Sequence, residues 1–116
     1  MAASKHDPTE IWKAFDAAVN MSPAALEQWL ETEESKRVGW KGPDGKGEGE
    51  SVGHRSGRRI VEIRRKRKAE LTDEDYVHMR KVVGFVRRHL AQRPANEVTS
   101  RWRYSLMNWG HDPLKR

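Results

Sequence analysis

The densest concentration of chemistry in this 116-residue chain is a cationic run, His54-Arg55-Ser56-Gly57-Arg58-Arg59-Ile60-Val61-Glu62-Ile63-Arg64-Arg65-Lys66-Arg67-Lys68. From Arg55 to Lys68 it sets eight Arg or Lys against one Glu. Such charges repel one another unless a polyanion or its own counterions occupy the space between them. The phosphates of a duplex supply that partner, and each phosphate neutralised releases condensed counterions. Ser56 and Gly57 fall where the pattern predicts a helix to start. Exposed backbone N–H groups there would hold a phosphate, with Arg58 and Arg59 adding charge. The same composition also suits a solvated basic face, or a nuclear-localisation run over Arg64 to Lys68. A second basic group, Arg80, Lys81, Arg87 and Arg88, returns at helical spacing around Gly84 and would widen the footprint by about two turns. Gly84 there permits close approach of a strand or of another helix. Arg101, Arg103, Lys115 and Arg116 could join the same face.

Other chemistries find less support. With no cysteine, disulfide scaffolds, thiolate zinc sites and thiol catalysis are excluded. His78 and His89 lie near one another on a helical wheel, but their rise of roughly 16 Å is too great for one shared ion. His54, His111 and Asp112 follow no ligand spacing, so no metal and no cofactor are expected. There is no Ser-His-Asp arrangement in recognisable flanks, no phosphate-cradling glycine loop before Lys-Ser or Lys-Thr, and no HExxH. The sequence therefore predicts neither enzyme activity nor a small-molecule substrate. The five tryptophans read as core and anchors. Trp40 and Trp109, each close to a glycine, are the two candidates for exposure.

Charge is distributed unevenly around this centre. Residues 1–50 hold six Lys/Arg and ten Asp/Glu, whereas residues 51–116 hold seventeen and seven, so an acidic first half precedes a strongly basic second half. The whole carries a net charge of +6, which favours polyanionic partners. No stretch approaches the ~18 apolar residues of a membrane span, and the opening MAASKHDPTE lacks the apolar core of a signal peptide. An intracellular protein without membrane contact is expected: nuclear in a eukaryote, nucleoid-associated in a bacterium.

The elements that must position these residues are helical. Asp7-Pro8 and Ser22-Pro23 each read as an N-cap followed by proline at the first helical position. Ile11, Trp12, Phe15 and Val19 give a helix over about 8–19, and Leu26, Trp29 and Leu30 one over 23–34. Glu31, Glu33 and Glu34 would crowd the negative end of that second helix dipole, so they are expected in solvent or beside a basic neighbour. Residues 39–53, with six Gly and one Pro, predict a long flexible loop that Trp40 would anchor. Helical spacing resumes from Ser56 to Lys68. Thr72 to Asp75 resembles a capping box, and the longest helix follows over 73–91, with Tyr76, Met79, Val82, Val83, Val86 and Leu90 on its core face. A last helix over 97–108 stops at Gly110 and Pro113. With no alternating β-branched run, the fold class is all-α: residues 1–116 as one small bundle of about five helices. Trp12, Phe15, Leu26, Trp29, Ile60, Ile63, Val83, Val86 and Trp102 form its expected core.

Two resemblances accompany this reading. Met21-Ser-Pro-Ala-Ala-Leu26-Glu-Gln-Trp-Leu30 resembles the first helix of the SAP motif, a helix–loop–helix DNA-binding module. Ser56-Gly57-Arg58-Arg59-Ile60-Val61-Glu62-Ile63 resembles its second, where a Ser-Gly-Lys-like start opens a basic amphipathic helix. This SAP-like unit spans residues 21–68, with a connection longer than usual, and implies that its two helices pack together. Nearly the whole chain is similar to domain of unknown function family 3140. The shared features run from WxxF at Trp12 and Phe15, through MSPAALEQWL, SGRRIVEI and LTDEDYVHMRKVVGFVRRH, to WRYSLMNWGHDPLK. Members of that family, found in bacteria and fungi, are commonly labelled DNA-binding proteins. The resemblance thus implies DNA binding but assigns no catalytic residue.

Together these readings predict a protein that binds duplex DNA through its phosphates with weak sequence preference. Arg55, Ser56, Gly57, Arg58, Arg59, Arg64, Arg65 and Lys66 are the expected contacts, and Arg80, Arg87 and Arg88 widen the surface. One alternative is a protein-interaction adaptor whose acidic and basic halves bind partners or each other, pairing the basic run with Glu27, Glu31, Glu33 and Glu34. Another is RNA, which basic helices also bind, although no RNP-type aromatic pair or KH-style loop is present.

Overall fold

Among the described residues, six α-helices form where a Ser, Thr or Asp side chain can close the first turn. The computed structural model describes residues 7–38, 51–94 and 100–115. Within them lie α1 (Pro8–Ala18), α2 (Pro23–Leu30), α3 (Glu33–Arg37), α4 (Val52–Arg65), α5 (Asp73–Leu90) and α6 (Arg101–Asn108), with a 3-10 turn at Lys68–Glu70 before α5. Asp7, Ser22, Thr32, Ser51, Thr72 and Ser100 each accept a hydrogen bond from a first-turn backbone N–H. Each such cap contributes about 1 kcal/mol. No strand occurs among the described residues. The fold is all-α, as the periodicity predicted.

The core is one cluster. α1 packs along α5 and α2 along α4, and α6 closes the bundle against α2, α3 and α4. Phe15, Leu26, Ile60, Ile63, Met79, Val82 and Leu106 are fully buried. Burying an apolar side chain of this size contributes about 1.5–3 kcal/mol. The tightest approach is at Gly57. A Cβ there would sit 2.6 Å from the Asn108 carbonyl oxygen and 2.6 Å from Leu30 Cδ2, so α2, α4 and α6 meet only because the side chain is absent.

Several sequence expectations shift. The segment read as one helix over 23–34 is two. Thr32 restarts the chain as the α3 N-cap, which moves Glu33 and Glu34 into a first turn, where the helix dipole favours acids. The basic helix begins at Val52 rather than Ser56, because Ser51 accepts from the His54 backbone N–H at 3.1 Å. The predicted loop over 39–53 therefore gives up its last three residues to α4 and its cap, and its remainder, with Trp40, lies outside the described residues. Of the expected core, Trp12, Trp29 and Trp102 are only half-buried, packed on the outside of the cluster. Each of these indoles covers apolar surface while keeping an edge in water. Trp109, a candidate for exposure, is buried instead.

The closing residues hold the bundle shut. Asn108 is fully buried. Its Oδ1 accepts from Trp29 Nε1 at 2.8 Å and Ser35 Oγ at 2.5 Å, while its amide donates to the Ser35 carbonyl at 3.1 Å. Gly110 adopts φ +81°, and a Cβ there would stand 2.9 Å from Val19 Cγ1. That turn brings Asp112 to Asn20, where the Asp112 N–H donates to Asn20 Oδ1 and Asn20 Nδ2 donates to the Asp112 carbonyl. Arg103 Nη2 pairs with the Asp112 carboxylate at 3.2 Å. Burial alone would raise the Asp112 carboxyl pKa, but bonds from Arg103 and the Leu114 N–H hold it below its ordinary value. Arg103 and Lys115, the latter donating to the Asn20 carbonyl, therefore serve this clasp rather than a basic face. Arg116 lies outside the described residues.

Candidate nucleic-acid interface

The basic run of α4 does not stand as one free surface. Ser56 and Gly57 are buried in the middle of the helix, so their backbone N–H groups open no helix and face no solvent. The phosphate role assigned to that pair is excluded by its position. Ser56 Oγ instead lies 2.9 Å from His78 Nε2 on α5. Arg55 and Arg58 are exposed. Arg64 Nη1 pairs with Asp16 of α1 at 2.5 Å, and Arg65 pairs with Glu27 of α2.

Arg59 and Lys66 converge on one carboxylate. Asp75, at the third position of α5, is 0% exposed, with Arg59 Nη2 at 2.7 Å from Oδ1 and Lys66 Nζ at 2.8 Å from Oδ2. It also accepts from the Thr72 backbone N–H at 3.0 Å, while its own N–H donates to Thr72 Oγ1 at 3.2 Å. Burial by itself would raise the Asp75 pKa. The Lys66, Thr72 and Arg59 hydrogen bonds outweigh it and hold the carboxyl far below the usual carboxylate range. The capping box read from Thr72 to Asp75 is thus also an ion cluster joining α4 to α5. Arg59 and Lys66 keep 35% and 28% of their side chains exposed, so both remain in reach of solvent.

α5 presents the less committed basic surface. Arg80, Lys81, Arg87 and Arg88 are all exposed. Among the described residues no carboxylate forms an ion pair with Lys81, Arg87 or Arg88. At 100° per residue, Arg80 and Arg87 fall on one side, and Lys81 and Arg88 on the other, of a strip formed by Val77, Gly84 and Ala91. Val77 is 51% exposed. Gly84 is not a packing glycine: a Cβ there would meet only the Arg88 guanidinium, at 3.1 Å.

The solvent faces of the two basic helices meet at a cavity of about 240 Å³ lined by Arg59 of α4 and by Glu74, Val77, His78 and Lys81 of α5. His78 is half-buried there, and burial, then the charges of Arg59 and Lys81, push its pKa down. Its ring also heads an aromatic column: His78 stacks on Trp109 (6.1 Å), Trp109 on Phe85 (4.3 Å) and Phe85 on His89 (3.8 Å). The two histidines end opposite sides of this stack rather than sharing an ion. No cluster of three metal-ligating side chains occurs among the described residues. None of the described helices is long and apolar enough to cross a membrane. Lys81, His78 and Asp75 are the neighbours that the sequence reading left out of the site. Lys81 was visible in the basic arc and Asp75 in the capping box, whereas His78 carried no signal beyond its type.

α2 and α4 pack together, as the SAP-like reading requires, but Ser56-Gly57 does not open the second helix as that motif would have it. No curated protein and no solved structure matches the chain. A family model described as "Protein of unknown function (DUF3140)" matches residues 14–107, from within α1 to near the end of α6. The stretch it spans holds the caps Ser22, Thr32, Ser51, Thr72 and Ser100 and most of the core. The chain belongs to the DUF3140 family of proteins of unknown function.

Proposed function

We propose that the protein binds duplex DNA through phosphates, using the solvent faces of α4 and α5 as one surface, without catalysis and without a cofactor. The observation behind this reading is the shared cavity. Because Arg59 of α4 and Lys81 of α5 both line it, the helix faces that carry them adjoin, with the exposed Arg55 beside Arg59 and Arg88 in the row of Lys81. Arg64, largely covered and turned toward Asp16 of α1, drops out of the contact set, and Arg65 shares its charge with Glu27 of α2.

The dimensions of α5 suit a duplex. A helix with its side chains is about 10–12 Å wide, close to the ~12 Å major groove. Its two basic rows, with members about 10.5 Å apart along the axis, would reach the phosphates on both rims. The strip between them offers bases only Val77, Gly84 and Ala91, which cannot hydrogen-bond to base edges through their side chains, so sequence preference is weak. Asp73 and Glu74 at the start of α5 confine the contact to its later turns. This reading sets the protein's work in the nucleus or nucleoid.

The test is fluorescence anisotropy with a random duplex over a series of salt concentrations. Each phosphate contact contributes about −0.9 to the slope of log K against log salt. Replacing Lys81, Arg87 and Arg88 together by Gln should flatten that slope by about 2–3 while leaving the circular dichroism spectrum unchanged. A triple variant with the parental slope and affinity would show that α5 does not contact DNA. Competition with duplex RNA decides between the two polyanions, and preferential loss of probe to RNA would replace DNA by RNA as the partner.

A further inference from the structure

We propose that the cavity between α4 and α5 is a binding site for a single phosphate group, held by Arg59, Lys81 and His78. The source of that phosphate, a duplex backbone or free phosphate, is where the inference rests on the reading above; the site itself does not depend on it.

The geometry comes first. Arg59 is anchored by one nitrogen to the buried Asp75 and still exposes 35% of its side chain, so its position is fixed before a ligand arrives. A guanidinium held this way loses little freedom on binding an oxyanion. Lys81 faces it across the cavity from α5. His78 lines the cavity, its Nε2 is held by Ser56 Oγ, and stacking on Trp109 fixes the plane of the ring. The result is a planar donor, a point charge and an imidazole around a space of about 240 Å³ that opens to solvent and is ample for one phosphate.

The local charge balance adds a consequence. From α4, Arg59 faces His78; from α5 itself, Glu74, Asp75 and Lys81 do; α6 offers only the neutral Trp109 ring. In the ligand-free protein, burial and the two cations disfavour the imidazolium. An anion placed between Arg59 and Lys81 reverses the second of these influences and favours the proton. Binding is therefore coupled to proton uptake and tightens as pH falls. Glu74, which also lines the cavity, opposes the anion and lowers its affinity.

The experiment follows the His78 imidazole and the backbone amides by NMR as sodium phosphate, then sodium sulfate, is titrated at constant ionic strength set with chloride. Saturable shifts at His78 and Lys81 with millimolar phosphate support the site, and shifts that rise linearly and no more than with chloride overturn it. Sulfate keeps its charge between pH 6 and 8, so the expected several-fold tightening over that range reports the protein's proton. His78→Gln should retain sulfate binding and lose its pH dependence; an undiminished pH dependence in that variant overturns the role of His78. The exposed Lys81→Gln change should weaken binding about tenfold, equivalent to a charge-assisted hydrogen bond of about 1.4 kcal/mol, and Glu74→Gln should strengthen it. Either change leaving the affinity untouched removes that residue from the site. Duplex titrations run in parallel separate the two claims. Duplex binding without saturable phosphate or sulfate binding overturns the cavity alone, and the reverse pattern overturns the DNA reading alone.

Discussion

Replacing Asp75 by Asn tests whether the basic helix serves the fold before it serves any partner. The substitution keeps the shape of the side chain and removes its charge. Two charge-assisted hydrogen bonds, from Arg59 and Lys66, lose their anion, and each is worth about 1.5–3 kcal/mol. Both cations retain about a third of their exposure and would recover hydration, which places the loss at the low end, about 3 kcal/mol in total. A domain of this size shifts its midpoint by about 4 °C per kcal/mol, so Tm should fall by about 12 °C at pH 7. The pH dependence has a definite sign. Burial would raise the Asp75 pKa, but Lys66, the Thr72 N–H and Arg59 depress it far below the unfolded value of about 4. Its stabilisation is therefore complete above pH ~4 and lost as pH falls further, by about 1.4 kcal/mol per unit at most. Thermal denaturation followed by circular dichroism at pH 7, 5, 4 and 3 measures both effects. A D75N midpoint within 2 °C of the parent at pH 7, or a gap as wide at pH 3 as at pH 7, would refute the ion-cluster account (both criteria being scaled from the same ~4 °C per kcal/mol).

The two helical glycines should respond with opposite signs. Gly57→Ala would set a methyl 2.6 Å from the Asn108 carbonyl, forcing α4 away from α6, and should lower stability by about 2–3 kcal/mol in urea titrations. Gly84→Ala meets only the movable end of Arg88 and should raise stability by about 0.5–1 kcal/mol through helix propensity; a loss would contradict its open placement. Asn108→Leu strips the acceptor from Trp29 Nε1 and Ser35 Oγ and leaves both donors inside, for an expected loss of about 3 kcal/mol with altered Trp fluorescence. Glu27→Gln, which releases the exposed Arg65, should change stability by less than about 1 kcal/mol.

The helices were legible because their signals are local. Asp7-Pro8 and Ser22-Pro23 marked two starts within a residue, and the Thr72 box marked a third. Where local signals compete, the reading slipped. Thr32 caps α3 inside what the apolar spacing of Leu26, Trp29 and Leu30 presents as one continuous helix. Ser51 falls in a stretch whose glycine content predicts a loop, yet Gly53 lies in α4, where a Cβ would be 3.2 Å from the Trp109 indole nitrogen. Tertiary packing overrode propensity there. The buried Asn108 and Asp75 had no periodic signature at all. A polar residue enters a core only when partners from other elements satisfy it, and those partners, Trp29 and Ser35 or Arg59 and Lys66, are far away along the chain or on another helix.

The same distinction governs how the cations divide. The run from Arg55 to Lys68 has a partner on three other helices: Asp16 on α1, Glu27 on α2 and Asp75 on α5. Net charge counts these cations as though they faced solvent, but Arg59, Arg64, Arg65 and Lys66 already sit beside carboxylates, and their attraction for an outside anion is correspondingly reduced. On α5 the acids are gathered in the first turn and the cations in the later ones. That arrangement suits the helix dipole and also leaves the later turns with a single sign of charge. A charge reversal on α4 therefore acts on folding and binding together, because it places like charges across an internal contact. A reversal at Arg87 or Arg88 breaks no ion pair among the described residues and costs the fold only the helix-dipole interaction of one last-turn cation, about 0.3–1 kcal/mol. Weakened DNA binding after an α4 reversal would follow equally from partial unfolding, whereas the same result on α5, at unchanged stability, assigns the interface.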